Sequence, residues 1–246
     1  MTNPSRFAAG RIAGLLYLIP MFCGPFSMMY VPSATMVPGD AAATAGKLLA
    51  SESLFRLGML SDSAIFLSEV GLTAVLYVLL KPAGRTLALA ATFARLAMVV
   101  LQGVNLLPLL AALQLLEGTA YRTAFGASEL QALALLMLDL HALGAHVWGI
   151  FFGLHCALVG ILVFRSGYFP RALGVLMALA GAGYLVDGLG NLAFPRGAPA
   201  FTALVGIGAL VGEVPFVFWL IFKRVDPTAL RTRGDRPDLA ARVRNT

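Results

Sequence analysis

His141, His146 and His155 are all the histidines of this chain, and they share one short apolar run, "LDLHALGAHVWGIFFGLHC" (138–156), with Asp139 and Cys156. Histidine, cysteine and carboxylate in one stretch raise two chemistries, metal ligation and proton transfer. Helical spacing decides against a single site. A helix rises 1.5 Å per residue, so His141 and His155 stand roughly 21 Å apart, and His146 and His155 roughly 13 Å apart on opposite faces. Asp139 and His146 share a face but lie about 10 Å apart. Ligand pairs on one helix need i,i+3 or i,i+4 spacing, as in H-E-x-x-H, and no pair in this run has it. Any partner of these histidines must come from another helix.

The elements that carry them follow from composition. Of 246 residues, 59% are hydrophobic and only 12% charged, and the mean hydropathy is +0.84. A soluble domain is about 25% charged, so lipid must be the solvent for most of this chain. Apolar stretches at 9–30, 56–80, 86–116, 129–164, 171–194 and 200–222 each reach the ~20 residues that cross a bilayer. They are continuous, unlike the alternating strands of a membrane barrel, so they predict helices. The fold class is all-α: a polytopic bundle of about six spans forming one domain over 1–224. A basic tail over 225–246, with Pro227, Gly234 and Pro237, follows as a disordered arm.

Orientation comes from the cations. Arg6, Arg11, Lys81, Arg85, Arg165, Arg171 and the seven from Lys223 onwards fall on one side. Lys47, Arg56, Arg122 and Arg196 fall on the other. The positive-inside rule then predicts both termini in the cytoplasm and residence in the bacterial inner membrane. No small-x-small site follows the first span at signal-peptide distance, so that span is expected to remain. Cys23 and Cys156 form no CxxC and read as buried free thiols. The tail invites contact with anionic lipid; it has no interleaved aromatics that would point to nucleic acid. A homo-oligomer is plausible for so small a bundle, though no residue argues for one.

The first outer connection, "VPGDAAATAGKLLASESLFRLG" (37–58), places Asp40 as the N-cap of a short interfacial helix. Its Gly-Lys pair is not a phosphate loop: Ala41 stands where the motif needs Gly, and Leu48 where it needs Ser or Thr. This stretch, together with "VLLKP" (78–82), "LQALALLMLDLHALG" (130–144) and "FFGLHCALVGILVFRSGYFPRALGVLMALAGAGYLVDGLGNL" (151–192), resembles the DUF4386 family of bacterial integral membrane proteins. The resemblance covers about residues 8–224. It implies a multi-span membrane domain of unknown function and brings no catalytic residues or cofactor.

Ionisable groups inside spans are costly and usually face partners in the bundle. Depth sorts them. Arg95, His155 and Glu213 each lie nine residues from the cytoplasmic end of their spans, about 13 Å in, and Glu69 lies about 16 Å in. These four, from four helices, make a candidate inner layer. Asp62, Gln102, His146 and Asp187 fall about 24–27 Å up, with Asn105 and Asn191 slightly higher, as a candidate outer layer. Asp62 and Glu69 share a face, as do Arg95 and Gln102; Asp187, Asn191 and Tyr184 share another. Arg95 is expected to pair with Glu69 or Glu213.

The run 129–164 is too long for one crossing. Ser128 and Gln131 form an S-x-x-Q capping box at its start, and the helix either projects outward or breaks near Gly144. Asp139 and His141 then lie at or beyond the outer interface, as a vestibule or a solvated extension. Pro108 is expected to kink the third span beside Asn105. Glu213 precedes Pro215 in the way that acids sit in broken transporter helices. The glycines at 181, 183, 188 and 190 fit close helix packing.

Three functional readings remain open. The first is a non-catalytic membrane protein whose buried layer is structural. The second is a small-solute or proton-coupled carrier that uses Glu69, Arg95, His155 and Glu213. The third is a metal-dependent intramembrane enzyme built on His155 and acids. Haem would need a second axial ligand at the depth of His155, and no other histidine lies there.

Overall fold

The computed structural model describes residues 4–194 and 198–223; Arg196 and the basic tail lie outside them. The described residues are helical with no strand, and six helices are long and apolar enough to cross a membrane.

The first span is α1 (Pro4–Pro25), a π-helical turn (Phe26–Tyr30) and α2 (Val31–Thr35) in one continuous column. Pro32 brings no N–H to the ladder, and the turn before it takes up the wider hydrogen bond from Val31 N–H to the Phe26 carbonyl. Gly39 then adopts φ 76°, the left-handed conformation that glycine enters without strain. Next comes Asp40, whose Oδ1 accepts from Ala43 N–H at 2.9 Å. This is the expected cap, and it opens the short helix α3 (Ala41–Ala50).

The second span is α4 (Glu52–Leu80). The third does not merely kink. It breaks into α5 (Arg85–Val104) and α6 (Leu107–Glu117), with Pro108 in the first turn of the second piece. After the short α7 (Thr119–Ala124), the fourth span is α8 (Ala127–Ser166), forty residues without interruption and so about 60 Å long. Gly144 does not break it. Nor does the Ser128/Gln131 box start it. The helix is capped two residues earlier, where Glu129 Oε2 accepts from Gly126 N–H at 2.9 Å. It ends at Gly167, left-handed at φ 71°.

The N-terminal half of α8 is not a solvated rod. Ala134 and Leu138 are buried in a second apolar core with Leu48 of α3, Phe55 and Met59 of α4, and Leu113 and Leu116 of α6. The break at Asn105 lets α6 follow the N-terminal half of α8, and α3 covers its flank. The main core lies further along the bundle, around Leu72, Leu76, Val159, Leu162, Met177 and Phe216.

The fifth span, α9 (Arg171–Ala193), packs more extensively on α8 than any other two elements pack on each other. Glycines spaced by seven make this possible. A Cβ on Gly160 or Gly174 would meet the facing backbone at 2.6 Å. One on Gly181 would meet Ala157 N at 2.5 Å, and one on Gly188 the His146 carbonyl at 2.7 Å. The spacing is that of a left-handed seam, and the backbones touch along its length.

The sixth span is α10 (Ala198–Gly208), a π-helical turn (Ala209–Glu213) and α11 (Val214–Phe222). The first piece lies on α9, whereas the last lies mainly on α1. The span changes neighbours at the turn that ends in Glu213, just before Pro215.

Candidate functional site

Arg95 is wholly buried and reaches three other helices. Its Nε bonds Glu69 Oε2 of α4. Its Nη1 lies 3.1 Å from the Tyr17 hydroxyl of α1 and 2.7 Å from Nε2 of His155 on α8. The guanidinium lies between two rings, its Cζ 5.0 Å from the centroid of Tyr17 and 5.6 Å from that of Phe152. Small residues on its own helix, Ala88, Ala91 and Ala94, are buried around it and let the neighbours come close.

The hydrogen bonds set the state of His155. Its Nδ1 is 2.8 Å from the Ala91 carbonyl, which can only accept. Its Nε2 faces an arginine, which can only donate. Both bonds are made together by the neutral ring with its proton on Nδ1. Glu69, 4% exposed, is held in turn by its helix, where Thr73 Oγ1 donates to the Glu69 carbonyl at 2.6 Å. One donor remains: Arg95 Nη2 is buried with no hydrogen-bond partner.

Glu213 does not take Arg95. It accepts from the Tyr184 hydroxyl at 2.8 Å and is half-buried. The ring of Phe152 borders both Arg95 and Tyr184. It packs edge-on to Tyr184 at 4.8 Å and parallel to His155 at 6.1 Å. So the four residues of the expected inner layer divide into an Arg95–Glu69–His155 triad and a separate Glu213–Tyr184 pair.

Tyr17 and Phe152 were missed in the sequence reading. Tyr17 carried a usable signal, since it lies eight residues into the first apolar run, about 12 Å deep and level with Arg95. Phe152 carried none, because phenylalanine is the expected filler of such a core.

The residues expected in the outer layer form two groups. His146 Nδ1 lies 2.8 Å from Asp187 Oδ2, and Asn191 Nδ2 donates to Asp187 Oδ1 at 3.0 Å. Separately, Asn105 Nδ2 donates to the His141 carbonyl at 2.9 Å, and His141 Nδ1 donates back to the Asn105 carbonyl at 2.6 Å. A Cβ at Gly144 would stand 1.9 Å from Asn105 Oδ1, so glycine there admits the asparagine. Asp62 is buried beside Ser27 and within electrostatic reach of His141. Gln102 is buried at the same end. His141 is therefore half-buried at the break of the third span rather than free in solvent, whereas Asp139 is exposed.

Among the described residues no three of His, Cys, Asp and Glu converge on one point that could hold a metal ion. A cavity that touches His155 measures about 10 Å³ and is lined by Thr73, Tyr77, Thr92 and apolar neighbours, room for about one water. A larger groove of about 310 Å³ between α9 and α10 is lined only by apolar residues and glycine.

The comparison with known families rests on most of this bundle. The model of DUF4386, a domain of unknown function, matches residues 12–223. The chain belongs to the DUF4386 family. A relative from Archaeoglobus fulgidus, described as an uncharacterized protein, is 43% identical over 74 residues. That match covers 30% of this chain and 42% of the relative. No solved structure matches.

Proposed function

We propose that this DUF4386 protein is a non-catalytic protein of the bacterial inner membrane, with both termini in the cytoplasm, whose buried polar layer fixes the register of the bundle. The observation that carries this reading is Arg95, wholly buried and bonded to side chains of α1, α4 and α8 at once. A guanidinium held by three helices penalises any slide or rotation of one against another, because a shift leaves a charge unpaired in lipid. A solute carrier needs room beside its coupling groups, and the cavity at His155 holds about one water. An enzyme needs a reachable centre, and Glu69, Arg95 and His155 are each less than 5% exposed.

The test is flux. Purified protein in liposomes is expected to pass protons and small solutes no faster than empty liposomes. Uptake above that background, abolished by Glu69→Gln with the fold intact, would replace the structural reading with the carrier.

A further inference from the structure

Two groups near the Arg95 layer are incompletely paired. Arg95 Nη2 is a buried donor with no acceptor. Glu213 is an acid with no cation within ion-pair distance among the described residues; its bond is to a neutral hydroxyl. Arg95 and Tyr184, which holds Glu213, lie against the same Phe152 ring.

The backbone at Glu213 is where the sixth span bends. Val214 N–H bonds the Ala209 carbonyl in the wide π pattern. Pro215 then offers no N–H, so the carbonyl one turn back, at Leu210 or Val211, receives no bond from it. π-Turns of this kind are common at functional sites. Glu213 is half-buried, whereas Glu69 is buried.

We propose that Glu213 is a proton-binding site in the membrane core: with its proton it stays on Tyr184, and without it the carboxylate takes the open Nη2 of Arg95. Tyr184 donates to Oε1, so the proton rides on Oε2. On release the O–H bond breaks, and a water molecule that enters beside Glu213 takes the proton. The electron pair stays on the carboxylate as a charge that Arg95 meets. The groups with which Glu213 interacts are Tyr17 of α1, Glu69 of α4, Arg95 of α5, Cys156 of α8 and Tyr184 of α9. His155 lies across Phe152. Arg95 is the one cation in this set, and Glu69 already uses only its Nε.

A metal cation fits the site less well. Hard cations take about six to eight oxygens, and this place offers a carboxylate, a hydroxyl and the carbonyl that lacks a bond from Pro215. The proton needs only the first two.

Infrared difference spectra of the reconstituted full chain, recorded as pH is stepped from about 4 to 9, test the assignment. Wild type is expected to show the carbonyl stretch of a protonated carboxyl that disappears on raising pH. The Tyr184 ring modes should change with the same midpoint. Glu213→Gln removes both signals, Tyr184→Phe shifts the carboxyl stretch, and Glu69→Gln retains it. Tyr184→Phe deletes a single hydroxyl, so it keeps the test decisive if Glu213→Gln folds poorly. A band that survives in Glu213→Gln, or no titrating band in wild type, overturns the proposal. The same spectral change produced at fixed pH by sodium or potassium overturns it in favour of a cation site. Liposome flux is not the readout here, so a failed proton site and a failed structural reading are distinguishable.

Discussion

Nε2 of His155 sits 2.7 Å from Nη1 of Arg95 while Nδ1 of the same ring sits 2.8 Å from the Ala91 carbonyl. The imidazole thus ties the backbone of α5 to α8 and takes up one donor of the buried guanidinium. Replacing it with leucine leaves the Ala91 carbonyl with its helical bond alone and Nη1 with Tyr17 alone. His155→Leu is expected to cost about 1–3 kcal/mol for the guanidinium donor left unsatisfied, seen as an earlier midpoint in denaturant titration in detergent. Nitrogen NMR of labelled histidine should show the Nε2 of this ring without a proton. A protonated Nε2 would count against the hydrogen-bond pattern itself.

The Arg95–Glu69 pair gives a sharper test, because a buried pair responds differently to losing one partner or both. Glu69→Leu alone strands a charge and should cost about 3–5 kcal/mol. Arg95→Met alone should do the same. The double variant removes both charges and fills similar volume, so most of the loss should be recovered. Losses that simply add would mean that the two side chains do not act as a pair.

The glycine seam between α8 and α9 makes a prediction with its own control. Cβ atoms at Gly160, Gly174 and Gly181 would approach facing backbone within 2.7 Å, and backbone cannot swing aside. Gly149, on α8 as well, would meet nothing within 4 Å. Alanine at any of the three should part the helices and cost at least about 1–3 kcal/mol, as overpacking does. Gly149→Ala should be neutral or stabilise by up to about 1 kcal/mol. Equal effects at Gly149 and Gly160 would show that helix propensity, not the seam, is being measured.

How much of this was legible beforehand depended on whether one helix or two decided the feature. The spans, the Asp40 cap and the α3 helix depend on local composition and spacing, and they read directly from the chain. Depth is also local, since 1.5 Å per residue is the same in every helix; it sets Glu69, Arg95 and His155 at one level. Rotation is not local. Whether Arg95 meets Glu69 or Glu213 depends on how four helices turn toward one another, and that is settled by packing such as the Gly153–Gly181 contact. The fate of His141 was hidden for the same reason. A long apolar helix reads as an excess over the bilayer, and nothing within 129–164 shows that α3 and α6 wrap it. The break at Asn105 was half legible: Pro108 marked it, but the bonds that stabilise it come from α8.

The placement of both termini in the cytoplasm rests on cation counts, and it has a direct measurement. Ala42 on α3 and Pro82 in the turn after α4 are both exposed in the structure. They lie at opposite ends of the second span, so a membrane-impermeant thiol reagent should reach only one in intact cells. Cys156 is buried and Cys23 half-buried, which keeps the wild-type background low. The positive-inside rule expects Ala42→Cys to label from outside and Pro82→Cys to label only after permeabilisation. At the end that carries Ala42, Arg56 lies 2.5 Å from Glu52, and Arg122 donates to the Leu116 carbonyl at 2.6 Å. The reverse labelling pattern would invert the bundle. Labelling of both sites in intact cells would mean that Pro82 is reached through the membrane, against a closed helix bundle.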